Sequence, residues 1–191
     1  FKAENNLNEK EIIALLPGSR EQEVTKMLEL MLSVRPYFQN YQFVIAGAPS
    51  LPKEFYQKYV DENVHFVSNK TYDLLRCSKA ALVTSGTATL ETALLNIPEV
   101  VCYRSSTISY EIGKRVVKNI KYISLVNLIM DQKIVTELIQ SDLNTKNLVQ
   151  ELRLILEGDS REKMLQDFEV LREKLGGKGA SDEAAEIIIK G

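Results

Sequence analysis

The sequence predicts an α/β protein, a Rossmann-like, doubly wound parallel sheet with helices at its C-terminal end. Three observations predict it. Short apolar runs alternate with segments of helical spacing, and the connections between them are brief. Two turns of small residues, Pro17-Gly18-Ser19-Arg20 and Ser85-Gly86-Thr87-Ala88-Thr89-Leu90-Glu91, each begin where an apolar run stops. Strands alternating with helices read as βαβ units, and right-handed crossovers assemble those into a parallel sheet.

The elements follow in order. Glu11–Leu16 is continuously apolar after its first residue, as for a strand buried on both faces. Pro17-Gly18 ends it, and Ser19 with Gln22 has the spacing of a capping box. Val24, Met27, Leu28, Met31 and Leu32 then recur at helical spacing to about Val34. Gln42–Ala46 is the second strand, closed by Gly47-Ala48-Pro49. A helix follows from about Pro52 to Val60, with Phe55, Tyr56 and Tyr59 on its apolar side. Val64–Val67 is the third strand, and Tyr72, Leu74 and Leu75 mark a short helix. Ala80–Val83 is the fourth strand and leads into the helix that carries Glu91. Asn96-Ile97-Pro98 stops that helix ahead of the fifth strand, Pro98–Tyr103. Beyond it the pattern predicts a helix over 109–120, a strand over Lys121–Leu125 and a short helix over Ile134–Gln140. Thr145 caps a helix reaching Leu156, and after Gly158 another runs to about Leu175.

Domain organisation reads as a polar linker remnant over 1–10, one domain over 11–175, and a glycine hinge with a final helix over 176–191. The start lacks an initiator Met, as for a piece of a longer chain. A net charge of −2 gives no steering toward nucleic acid, and the absence of Trp argues against a platform for stacked bases. His65 is the only histidine, which excludes a multi-histidine metal site, and no other metal set is evident. A Ser-His-Asp triad would have to use His65, which lies in a strand-like run. Cys77 and Cys102, far apart in apolar surroundings, read as buried free thiols of a reducing cytoplasm. There is no signal peptide and no apolar stretch of membrane-spanning length.

A strand that turns through glycine into a helix leaves unpaired N–H groups and a positive dipole end pointing outward, which suits an anion such as phosphate. Both small-residue turns have that form. Arg20 is either a surface charge or a bidentate phosphate grip; the dipole disfavours a cation at a helix start, so it calls for an anion. Glu91, one turn into its helix, is either an acidic first-turn residue or an acceptor for sugar hydroxyls. Neither turn is a Walker loop or a dinucleotide fingerprint. Asn127 ties down a turn or binds a ligand. Lys114, Arg115, Lys118 and Lys121 form a solvated helix face or a patch for an anionic lipid or membrane surface.

Leu15–Arg20 followed by Glu23-Val24, then Ser85–Glu91, Val101–Arg104, Tyr122–Leu128 and Val135–Gln140 together resemble the C-terminal half of lipid-A-disaccharide synthases, glycosyltransferases of the two-domain GT-B type. Thr136 departs from the pattern, where the family usually has Pro. The resemblance implies the half that binds UDP-2,3-diacylglucosamine, the glycolipid donor joined to 2,3-diacylglucosamine 1-phosphate in lipid A assembly. It implies that Arg20, Gly18, Ser19, Ser85, Gly86 and Thr87 hold the diphosphate, that Glu91 accepts from ribose, that Asn127 touches diphosphate or sugar, and that backbone at Phe66-Val67 reads uracil. No cofactor is implied, because the UDP-sugar is a substrate. The partners implied are an N-terminal domain carrying the general base, the inner membrane's cytoplasmic surface, and a second copy exchanging its C-terminal segment. By itself such a half binds UDP weakly and turns over nothing. The alternatives are another GT-B sugar-nucleotide enzyme, such as a peptidoglycan glycosyltransferase or a UDP-sugar epimerase, and a non-catalytic nucleotide-binding module.

Overall fold

The computed structural model describes residues 1–104 and 121–176. Its centre is a six-stranded parallel sheet: β1 (Glu11–Leu16), β2 (Tyr41–Gly47), β3 (Val64–Ser68), β4 (Ser78–Thr84), β5 (Glu99–Tyr103) and β6 (Thr136–Ile139). The spatial order is β3-β2-β1-β4-β5-β6, and every pairing is parallel. The winding reverses between β1 and β4. Such a reversal opens a crevice at the carboxyl ends of the two strands, where open α/β sheets take their ligands.

The helices are α1 (Glu21–Leu32), α2 (Lys53–Gln57), α3 (Thr71–Arg76), α4 (Thr87–Leu94), α5 (Leu125–Met130), α6 (Thr145–Leu156) and α7 (Asp159–Lys174). Strand periodicity of two divides the core between the sheet faces. Ile13, Leu15, Phe43, Ile45 and Leu82 pack with Val24, Met27, Leu28 and Met31 of α1 and with Leu148, Leu152, Phe168 and Leu171 of the last two helices. Ile12, Ala14, Leu16, Val44, Ala81 and Val83 pack on the other face with Leu74 and Leu75 of α3. The apolar runs are covered on both sides, which is why they read as continuous rather than alternating.

The first ten residues pack on this domain. Leu7 is buried in the second cluster, and the enclosed Gln42 side chain donates to the carbonyls of Asn8 and Lys10 at 2.8 and 2.6 Å. At the other end, Gly176 takes a left-handed φ of 86° just past α7, and its N–H closes on Glu173. The rest of the glycine-rich segment and the final helix lie outside the described residues, as does the helix predicted over 109–120.

Six local expectations are corrected. Ser19 does not cap α1: Arg20 occupies the N-cap position, and no side chain caps that end. Asn144, one residue earlier than expected, caps α6 by accepting from the Asn147 N–H at 3.0 Å. The next two are coupled. The segment 121–124 is irregular and Ser124 caps α5, whereas Thr136–Ile139, expected as a helix, is the sixth strand. Both segments are too short for periodicity to separate helix from strand; pairing to the edge of β5 decides the second. α2 also spans only Lys53–Gln57, shorter than its apolar pattern. Cys77 is exposed, at the end of a single short helix that leaves one side open, while Cys102 is buried as expected.

Candidate functional site

The crevice at the β1/β4 reversal is a cleft of about 400 Å³, lined from the ends of β1, β2 and β4 and by α3 and α4. Gly18, Ser19, Ser85, Gly86, Thr87 and Glu91 all contribute to its wall, so the two small-residue turns, 67 positions apart by number from Gly18 to Ser85, are parts of one site.

On the β1 side, Gly18 has a φ of +102°, a conformation that L side chains rarely adopt, and an added Cβ there would stand 2.5 Å from the Glu23 carboxylate. The Ser50 hydroxyl donates to the Ser19 carbonyl at 2.7 Å and clips this loop to the one after β2. Gly47, in the same wall, is required for a different reason. A Cβ there would lie 2.1 Å from the Phe66 ring, which stacks on Tyr56 at 4.6 Å between centroids. Tyr56 in turn accepts from the Ala48 N–H at 3.0 Å, so an aromatic pair sets the backbone on this side of the cleft.

On the β4 side, α4 opens directly into the cleft. No side chain caps it. The Ser85 N–H is used by the sheet, donating to Cys102 at 3.1 Å, and the Ser85 hydroxyl donates to the Ile123 carbonyl at 3.2 Å. Thr89 returns its own N–H to Gly86. The dipole end of α4 is therefore presented at Gly86, Thr87 and Ala88, all of which line the cleft, and nothing lies within 4 Å of where a Gly86 Cβ would be. Uncapped N–H groups with open space in front of them suit an anion.

Glu91 stands one turn further along α4, half-buried in the same wall. Glu23 is the second carboxylate there, a residue whose place in the wall sequence reasoning did not assign. Thr84 is also new: it is 5% exposed, lines the cleft, and its hydroxyl has no partner among the described residues. Thr71 and Tyr72 of α3 complete the lining. Their signal in the sequence was only that they open the short helix after the third strand.

Arg20 is exposed at the N-cap of α1, adjoining Ser19 but outside the cleft wall, and makes no ion pair with the described residues. Val67 is buried on the edge strand β3, paired with Ala46, and the end of β2, Ala46 to Pro49, supplies the wall on that side. Asn127 is spent within its own turn. It is fully enclosed, donates to the Val135 carbonyl at 2.9 Å and to Glu137 at 2.8 Å, and accepts from the N–H groups of Ile134 and Val135 at 2.7 and 3.0 Å. Two donors and two lone pairs are all that an amide has, so the turn has consumed it. Lys121 is exposed and lies 3.6 Å from Asp131; Lys114, Arg115 and Lys118 lie outside the described residues. His65 faces a different surface hollow with Lys53 and Tyr56, and burial pushes its pKa down. Among the described residues no group of His, Cys, Asp and Glu is placed to hold a metal, and no helix is long and apolar enough to cross a membrane.

A parallel sheet of this order with a glycine-turn cleft at its reversal is a Rossmann-like α/β domain, and solved structures narrow it to the GT-B glycosyltransferase fold. WaaG, a glycosyltransferase involved in lipopolysaccharide biosynthesis, superposes with a TM-score of 0.58 at 18% identity, over all of this chain and 50% of that one. The glycotransferase of kitacinnamycin gives 0.66 at 11% identity, over 95% of this chain and 43% of that one. The family model for lipid-A-disaccharide synthetase matches residues 2–190, and the chain belongs to that family. Lipid-A-disaccharide synthase of Syntrophus aciditrophicus is 38% identical over 182 residues, 91% of this chain and 47% of that protein. The Myxococcus xanthus enzyme is 33% identical over 93% of this chain and 48% of its own length. The chain thus spans about half the length of the curated relatives it matches.

Proposed function

We propose that this chain is the donor-binding half of a glycosyltransferase that moves 2,3-diacylglucosamine from its UDP derivative to 2,3-diacylglucosamine 1-phosphate, releasing UDP. One observation carries the reading: a single cleft combines the uncapped start of α4, the Gly18-Ser19 turn and a carboxylate one turn behind the anion site. The diphosphate lies on the N–H groups of Gly86, Thr87 and the Gly18-Ser19 loop, with Arg20 reaching in from the rim. Glu91 accepts from the ribose hydroxyls. Family membership and relatives named for this synthesis support the donor's identity.

The demanding step is departure of UDP, as negative charge grows on the β-phosphate. Fixed N–H groups and a helix N-terminus aimed at that charge stabilise it without reorganising as it forms. A general base must take the proton of the acceptor hydroxyl. The two carboxylates in the cleft, Glu23 and Glu91, lie with the nucleotide in this reading, so the base is assigned to the part of the relatives that this chain does not span. The chain alone then binds UDP weakly and transfers no sugar, and glycosyl transfer by the isolated 191-residue chain would contradict that assignment. The same reading places the whole protein on the cytoplasmic face of the inner membrane, with Lys121 and its basic neighbours in sequence toward anionic lipid. It needs no cofactor, and it leaves exchange of C-terminal segments between two copies as an oligomerisation route.

Titration with UDP, UMP and ADP tests the reading. The expected order is UDP ahead of both others, since the cleft reads both uridine and the second phosphate. Arg20→Ala and Glu91→Ala should each weaken UDP binding by about 1–3 kcal/mol, the range for losing a charged hydrogen bond. Equal affinity for ADP rejects a uridine site, and unchanged binding in both variants rejects these residues as its parts. An epimerase reading would need acid–base groups around the sugar, and the lone His65 lies in another hollow.

A further inference from the structure

The lining of the cleft divides by chemistry. Gly18, Ser19 and the turn from Ser85 to Ala88 give it small residues and backbone N–H groups, which suit an anion. Leu16, Ala46, Ala48 and Pro49 give it an apolar stretch at the strand ends. Two carboxylates, Glu23 and Glu91, share the lining, and no Lys, Arg or His does. A nucleoside diphosphate entering such a cleft meets negative charge as well as N–H groups. Its affinity needs a contact that does not depend on charge.

Tyr72 supplies a surface for one. α3 buries Leu74 and Leu75 completely, yet it leaves Tyr72 52% exposed. Of the large exposed apolar side chains among the described residues, Tyr72 alone lines this cleft, and it is the only aromatic residue in the lining. The chain reaches it from the carboxyl end of β3, the same end of the parallel sheet at which both small-residue turns lie. We propose that Tyr72 is the platform on which the base of the bound nucleotide stacks. This rests on the reading of the cleft as a UDP site. With the diphosphate on the start of α4 and the ribose at Glu91, the base is the flat, weakly polar part still to be placed. The exposed ring is the one aromatic surface that the lining offers it. Stacking tolerates any base, so the ring supplies affinity for the nucleoside, and the choice of uracil is left to hydrogen bonds at its edge.

The test titrates UDP and inorganic pyrophosphate into the 191-residue chain as wild type, Tyr72→Phe and Tyr72→Ala, with thermal melts to show that folding is matched. Tyr72→Ala is expected to lose roughly five- to hundredfold in UDP affinity, the span for removing one base–aromatic stack. Tyr72→Phe keeps the ring and should bind UDP as the wild type does, and pyrophosphate should bind all three alike. A Tyr72→Ala affinity for UDP equal to the wild type's overturns the platform and leaves the nucleotide reading standing. Equal losses for UDP and pyrophosphate overturn it too, since the ring would then shape the anion site. So does a Tyr72→Phe loss as large as that of Tyr72→Ala, which would assign the effect to the hydroxyl. A wild type that binds UDP no better than pyrophosphate removes the nucleotide reading and this inference with it.

Discussion

Asn127→Ala is expected to destabilise the fold by about 3–5 kcal/mol, because four hydrogen bonds are lost at a site closed to water. The variant leaves the N–H groups of Ile134 and Val135 without their acceptor and the Val135 carbonyl without its donor. The damage extends through Glu137. Its two oxygens accept from the Ile123 N–H, from the N–H and hydroxyl of Ser124, and from Asn127, at 2.7 to 2.9 Å. This carboxylate joins the start of α5 to the edge strand β6, and Asn127 is the link between the two. Asn127→Asp should fail as well, since a carboxylate cannot donate to Val135 and repels Glu137. Denaturant melts of the two variants check this. A stability near the wild type's, with UDP affinity alone reduced, would return Asn127 to the binding site.

Glu99→Met is expected to act in the opposite direction. Glu99 opens β5, is fully buried, and neither carboxyl oxygen has a hydrogen-bond partner among the described residues. Burial drives its pKa well above the usual carboxylate range. The folded state therefore binds the Glu99 proton more tightly than the unfolded chain does. Its contribution is most favourable below the unfolded carboxyl pKa and is lost as pH rises through the elevated folded value. An apolar side chain of similar length removes both the pH dependence and the cost of the unsatisfied group, for a gain of about 1–3 kcal/mol at neutral pH. For a domain of this size that is a rise of about 2–4 °C in Tm per kcal/mol. Melts of the two proteins across mildly acid to mildly alkaline pH check it: the curves should converge at acid pH and separate above it. Parallel curves would mean that Glu99 is compensated by a charge.

Much of the cleft was legible because its parts are local. A glycine turn between an apolar run and a helical pattern announces its own free N–H groups, and Ser85–Glu91 does so in seven residues. The part that the end of β2 plays in the wall is set non-locally. A strand end contributes to a site only if its neighbours in the sheet put it there, and the order β3-β2-β1-β4 gives that position to the end of β2. Thr71 and Tyr72 enter the wall from a helix whose sequence says only that it is short and half apolar. The same limit explains α5 and β6. A stretch of four to six residues carries too little periodicity, and the edge of β5 together with the Asn127–Glu137 bonds makes the choice.

The sequence by itself determined the class of fold, the first five strands, the family, and the two small-residue turns, since each depends on residues adjacent along the chain. The tertiary structure alone decided that these turns share one cleft, that Asn127 is spent on a turn while Thr84 and Glu23 enter the wall, and that Tyr72 of α3 lines the same cleft as Glu91 of α4. Those are contacts between elements far apart in sequence, set by strand order and packing, and the pattern within any single element does not contain them.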